Sequence, residues 1–440
     1  MAEIQPFRPV RYSNGCAKDL DRIITPPYDV ISPEEQEAYY LAHPCNVIRL
    51  VLGKQFPDDS PSNNRYTRAA DTLRQWMHEG ILVRGERPAF VIYQMEFSEP
   101  DGDRRSLDGI VALVKVDEYG KGKVLPHENT YEGPKQDQLN LLRACRASFT
   151  PIHALFSDKQ HVVGTEYASL MQRSPEQEAT DASGNVHRTW SIHDEDLIAR
   201  IRNALADKSL VIADGHHRYE TALAFRNEER SSGRAQPGGP HEYVMAYLTS
   251  MNHPGLTILP AHRLVKSVPG FDLGRIERIL KPYFSIEQLS FSSKDRDEVS
   301  RRLVQRIRSC SNGGGKFGMV VRGENRFLLL KLKDFRAIDA LMDVDIPSSL
   351  RGLDVTILRE IILGRALGLD KGHSEGVIDY TPSVSEALNR VFKGEIQVSF
   401  ILNPTPVEQM RAAAELGHKL PHKSTYFYPK ISSGLVLNVF

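Results

Sequence analysis

Apolar positions along this chain follow two rhythms, one recurring every three to four residues and one running unbroken over short stretches, and the two alternate from end to end. Positions 65–79 place Ala69, Leu73, Trp76 and Met77 on one helical face with Gly80 as the stop, and the run from Ala89 to Tyr93 then has strand character. Leu197, Ile198, Ile201 and Leu205 mark another helix, and Leu210, Val211, Ile212 and Ala213 the strand after it. Asp214-Gly215 closes that strand, and a helix is predicted from about His216. Ser32-Pro33-Glu34-Glu35 reads as an N-cap followed by proline and acids, so a short helix is expected there as well. The segment 231–240 is too polar and turn-rich to pack and is expected to be a mobile loop before a strand at 243–248. Alternating helices and strands predict a mixed α/β (α+β) fold of two or three interlocked units. Their expected bounds are 1–155, 156–268 and 269–440, the middle unit built around the strand, turn and helix at 209–220.

Composition narrows the class without naming a function. The chain has 440 residues, more than one core usually serves, with Lys+Arg and Asp+Glu both at 56 and 40% apolar residues. Balanced charge without basic clustering predicts no nucleic-acid partner. No stretch approaches an apolar membrane span, and the first residues lack a secretory pattern, so a cytoplasmic protein with no membrane partner is expected. Cys16, Cys45, Cys145 and Cys310 lie far apart, which argues against a disulfide framework and a cysteine zinc site.

The strongest candidate chemistry is Asp214-Gly215-His216-His217-Arg218. A strand that delivers Asp-Gly into a helix gathers backbone N–H groups and the positive end of the helix dipole at one point, where an anion is stabilised. Gly215 permits the turn and the approach of a ligand. Arg218 can hold phosphate oxygens in a bidentate fork, while Asp214 is a candidate magnesium ligand or proton acceptor. The plainer alternative makes Asp214 a simple helix cap with locally satisfied histidines. A cation so close to a helix start is disfavoured unless an anion sits there, so Arg218 is expected to be dispensable for stability and needed for binding.

A second constellation runs from Leu125 to Asp137, with His127, Glu128 and Thr130 in a loop before a helix signalled by Pro134. Glu128 is a candidate base there, and Arg143 and Arg146, three apart on the polar face, are candidate phosphate ligands; a solvated loop with ordinary surface arginines is the alternative. This loop and residues 214–220 are expected to share one cleft, because a phosphate site needs a carboxylate beside the transferred group. The aromatic and basic run 421–430, with Lys423, suits either a nucleotide contact or a strand. Gly313-Gly314-Gly315-Lys316 lacks the spacing of a P-loop and reads as a hairpin turn, and G-x-G-x-x-G is absent.

Thr25-Pro26-Pro27-Tyr28-Asp29-Val30-Ile31, His127-Glu128-x-Thr130 with Pro134-Lys135, Asp214 to Glu220, Leu353 to Leu358 and Lys423 to Lys430 resemble the signature segments of the domain of unknown function 1015 family. The resemblance spans nearly the whole chain. Asp214 to Glu220 also resembles the phosphate box of the ParB, sulfiredoxin and free serine kinase group, in which a Gly-x-x-Arg turn at a helix start holds nucleotide phosphates. That resemblance implies a nucleotide held by Gly215, His216, His217 and Arg218, and Glu128 or Asp214 activating a substrate hydroxyl. The reactive cysteine of sulfiredoxin has no counterpart, its place being taken by Gly215-His216. The expectation is therefore a magnesium- and nucleotide-dependent phosphotransferase acting on a small hydroxyl compound, free serine among them. Catalytic roles fall to Asp214, His216 and Glu128, and binding roles to Gly215, His217, Arg218, His127, Thr130, Arg143, Arg146 and Lys423. A phosphatase or nucleotide hydrolase is one alternative and a nucleotide-sensing module without turnover another; a homodimer is the candidate assembly.

Overall fold

A computed structural model describes residues 2–99, 102–130, 132–233, 236–309, 314–369 and 376–440. Its architecture is mixed α/β, and the chain forms two compact units, the lower of the two numbers expected. The first comprises Met1–Pro126, Thr130–Thr257 and Pro429–Phe440; the second comprises His127–Asn129 and Ile258–Tyr428.

A mixed nine-stranded sheet organises the first unit. Its strands are β1 (Ile4–Gln5), β2 (Phe90–Ser98), β3 (Arg104–Lys115), β4 (Val124–Leu125), β5 (Ile152–Phe156), β6 (Gln177–Thr180), β7 (Val186–Ile192), β8 (Leu210–Asp214) and β9 (Tyr243–Ser250). They lie in the order β4-β8-β5-β9-β3-β2-β7-β6, with β1 also on β3. The expected division at 155 cuts through β5, which pairs on both sides with strands from beyond it, and this is why no boundary forms there. β5, β8 and β9 are short apolar runs buried on both faces, and Ile152, Ala154, Ile212, Ala246 and Leu248 join one core with Ile201 and Leu205.

Helices of this unit follow local signals. Helix α1 (Pro33–Ala42) starts on a capping box between Ser32 and Glu35, and α2 (Arg65–His78) buries Ala69, Leu73 and Trp76. Helix α3 (Glu132–Cys145) begins ahead of Pro134 and buries Leu139, Leu141 and Cys145. Helix α4 (Glu195–Ala206) is capped by Asp194, and α5 (His216–Ser231) follows β8 directly. Residues 234 and 235 of the expected mobile loop lie outside the described residues; past them the chain re-enters through Pro240–Glu242, where Arg230 grips Glu242.

The second unit has a six-stranded antiparallel sheet: β10 (His262–Val265), β11 (Phe284–Ser290), β12 (Lys316–Val321), β13 (Arg326–Leu332), β14 (Ile378–Thr381) and β15 (Val398–Ile401), in the order β11-β13-β12-β15-β10-β14. Helix α6 (Arg296–Arg308) sets Leu303 and Ile307 against Leu264, Phe327 and Val391. Gly314 and Gly315 stand immediately before β12; Cys310 and Gly313, the latter the first residue of the expected hairpin turn, lie outside the described residues. Cys16, Cys45 and Cys145 are free thiols. Among the described residues no helix is long and apolar enough to cross a membrane.

Candidate functional site

The turn at 214–218 is built by the sheet. β8 and β5 are antiparallel, so the end of β8 lies beside the start of β5, and a register shift between Ile212 and Asp214 turns Asp214 out of the strand's alternation. Gly215 then takes φ +89°, a conformation that side chains resist, and acts as N-cap of α5. A Cβ on Gly215 would stand 2.9 Å from Arg218 Cζ, so the guanidinium folds back over the turn. His216 and His217 open the helix, His216 buried and His217 half-buried. Tyr219 is structural, its hydroxyl donating to the Asp117 carbonyl at 2.8 Å and accepting from the Asp117 N–H at 3.0 Å.

The alternative in which Asp214 caps the helix does not hold, because its carboxylate goes elsewhere. Arg218 Nη2 donates to Asp214 Oδ2 at 2.5 Å, and Lys430 Nζ donates to Asp214 Oδ1. Arg218 Nη1 also donates to the Pro151 carbonyl, just ahead of β5. Burial alone would raise the Asp214 pKa; Lys430 and Arg218 overturn that and hold it well below the usual carboxylate range. His153, opposite Asp214 on β5, is kept neutral by burial, its pKa pushed down to about 3.

These contacts change three expectations. Arg218 is already bonded, so it contributes to stability instead of being dispensable. Asp214 is too acidic in this state to accept a proton at neutral pH. Both its oxygens accept from cations, and among the described residues there is no group of three or more His, Cys, Asp or Glu that could hold a metal ion.

Other candidates separate by unit. Thr130 reaches the box, donating to Glu220 Oε2 at 2.5 Å, and Lys135 Nζ lies 3.5 Å from the same atom. Glu220, Lys135, Glu132, Tyr119 and Asn227 help to line a concavity of about 310 Å³ along α3 and α5. A smaller void of about 60 Å³ has Arg218, Tyr28, Ser148 and Thr150 on its wall, and Thr221 lines both. Arg143 and Arg146, expected at phosphates, instead pair with Glu228 and Glu229, about 15 Å along the helix axis from Arg218. Arg143 at the end of α3 and Arg146 just past it both pair with α5 through acids that spacing within α3 could not reveal.

Glu128, His127 and Lys423 belong to the second unit. Glu128 Oε1 accepts from the Lys423 N–H at 2.8 Å and lies 2.9 Å from His422 Nδ1. His127 is fully buried, its Nε2 2.8 Å from Thr425 Oγ1 and its ring edge-on to Phe427, so it is a packing residue and not an exposed phosphate ligand. Lys423 lies in the second unit, and the lysine that meets Asp214 in the 214–218 turn is Lys430. It lies in the same quoted segment, yet its partner is 216 residues away, and strand alternation carries no signal for that choice.

A match to the family described as "Protein of unknown function (DUF1015)" spans residues 4–356. Among solved structures the chain is similar to free serine kinase in complex with AMP, at 14% identity and TM-score 0.34, covering 71% of this chain and 89% of that one. It is also similar to a conserved hypothetical protein from Pyrococcus furiosus (12%, TM-score 0.33, covering 72% and 92%). SbnI with a C-terminal truncation, from Staphylococcus aureus, follows at 11% and TM-score 0.35, covering 75% and 87%. Curated proteins give no sequence match.

Proposed function

The chain belongs to the family described as Protein of unknown function (DUF1015), and from that premise we propose that residues 214–218 hold the phosphates of a nucleotide and that the protein passes a phosphoryl group to a small hydroxyl compound. The observation that carries this reading is the charge at the turn. Two largely buried cations, Arg218 and Lys430, face one carboxylate at the positive end of a helix, and His153 beside them is neutral. Both cations converge where the helix dipole already disfavours positive charge, an arrangement that an anion relieves. Phosphoryl transfer needs positioning and charge neutralisation above all, which the Gly215 turn, the first-turn histidines and the two cations supply. Magnesium enters this scheme as the counter-ion of the nucleotide.

The larger concavity is the proposed seat of the acceptor, since Thr221 links its wall to that of the Arg218 void. Two carboxylates are then rivals for activating the hydroxyl: Glu128, and Glu220 on that wall. The protein is incubated with ATP or ADP, magnesium and a pool of hydroxyl compounds beginning with free serine. A phosphorylated product is expected; free phosphate alone turns the reading to a hydrolase, and saturable binding without turnover turns it to a sensor. Glu128→Gln and Glu220→Gln, read as the split between kcat and KM, identify the base.

A further inference from the structure

Resting on the phosphate-site reading, we propose that Arg218 and Lys430 form a two-cation clamp for the phosphoryl group, and that Asp214 is an internal stand-in for that group, displaced when a phosphate binds.

The geometry supports the exchange in three ways. First, each cation spends a donor on a different oxygen of one carboxylate, Arg218 on Oδ2 and Lys430 on Oδ1, the spread with which two cations grip two oxygens of a phosphate. Second, all three side chains are 10–15% exposed, so the pair is shielded from water yet not sealed from an arriving anion. Third, the void of about 60 Å³ has Arg218, Ser148 and Thr150 on a wall that is otherwise largely apolar, which leaves room beside the guanidinium for its side chain to shift when Asp214 is displaced. Asp214 cannot leave the site, because it ends β8, but a side-chain rotation frees both its oxygens.

Lys430 is thereby a binding residue drawn from the far end of the chain. Its neighbours fix it in place: the Ser432 N–H donates to the Tyr93 hydroxyl at 3.4 Å, Ser432 Oγ lies 3.3 Å from His187 Nε2, and Ser433 Oγ lies 2.5 Å from Thr150 Oγ1. These contacts hold residues 430–433 against the sheet, so Lys430 is presented by an anchored segment and not by a loose tail.

The test uses inorganic pyrophosphate and the full-length protein. Asp214→Asn removes the competing charge and keeps the shape, so it should bind pyrophosphate roughly 10- to 100-fold more tightly than wild type. Lys430→Met should bind it more weakly than wild type by about tenfold. Asp214→Asn takes the carboxylate away from both cations and is expected to melt early, and millimolar pyrophosphate should restore its melting temperature by a larger shift than wild type shows. Binding equal to or weaker than wild type, or a variant that pyrophosphate fails to restore, overturns the exchange while leaving the phosphate-site reading intact wherever wild type itself binds. Wild type and both variants all indifferent to pyrophosphate and to ATP overturns that reading, and the exchange with it.

Discussion

Each unit buries a carboxylate at a helix start beside glycine, and the two behave in opposite ways. Asp214 is held ionised by Lys430 and Arg218 against the pull of burial. Asp354 opens the helix Asp354–Ile357, and its Oδ1 accepts the Gly315 N–H at 2.5 Å. There burial wins, and the Asp354 pKa is raised to about 6. Gly314 is part of the same fit, since a Cβ on it would come within 2.0 Å of that oxygen. Burial pushes both acids the same way; what differs is whether a cation has been brought to meet them. The first arrangement is that of a charged site and the second that of a structural hydrogen bond.

The comparison breaks most visibly at Asp214. Asp214→Asn strands two buried cations and should lower unfolding stability by about 3–5 kcal/mol at pH 7, read by denaturant titration without anions. A loss under about 1 kcal/mol would mean the cations are solvated and the site is not a clamp.

Arg218→Ala comes next, at roughly 1.5–3 kcal/mol, since it removes the charged bond to Asp214 and the bond to Pro151 while Lys430 still covers the carboxylate. Paired melts with and without nucleotide should show a lower unliganded melting point together with a smaller ligand shift. An undiminished shift would make Arg218 purely structural.

Asp354→Asn should act with the opposite sign. Because the folded pKa lies above the unfolded one, the native state holds this proton more tightly; the stability it contributes is complete below about pH 4 and is lost as pH rises through about 6. The amide mimics the protonated acid, so the variant should match wild type near pH 4 and exceed it at pH 7 by on the order of 1–2 kcal/mol. Equal stability at both pH values would show that Asp354 keeps an ordinary pKa.

The smallest effect belongs to Arg143. Its exposed pair with Glu228 predicts a loss of about 0.2–1 kcal/mol for Arg143→Ala, with pyrophosphate binding unchanged in titration calorimetry. Weakened binding would return Arg143 to the list of phosphate ligands.

How far the sequence could be read follows from the range of the interactions. β8, Gly215 and α5 were legible because an apolar run, a glycine and a helical rhythm are local, and the Ser32 cap of α1 for the same reason. Thr130 beside Glu220 was anticipated as a meeting of two motifs, though not atom by atom. Arg143 and Arg146 misled because two basic residues on one helical face look alike whether they await a phosphate or a neighbouring acidic helix. Lys430 is not legible in the sequence because its meeting with Asp214 depends on a chain reversal with no local signature, and the same reversal returns the chain to the first unit at Pro429.

That reversal also sets the order of events in biosynthesis. The chain leaves the first unit at Thr257 and returns at Pro429, so the ribosome makes 258–428 before Lys430, Ser432 and Ser433 exist. At ordinary elongation rates the interval is roughly 10–30 s. During it Asp214 and Arg218 are present without Lys430, their second cation partner in the finished fold. Lys430 therefore joins the 214–218 turn only after every strand of the second unit has been synthesised.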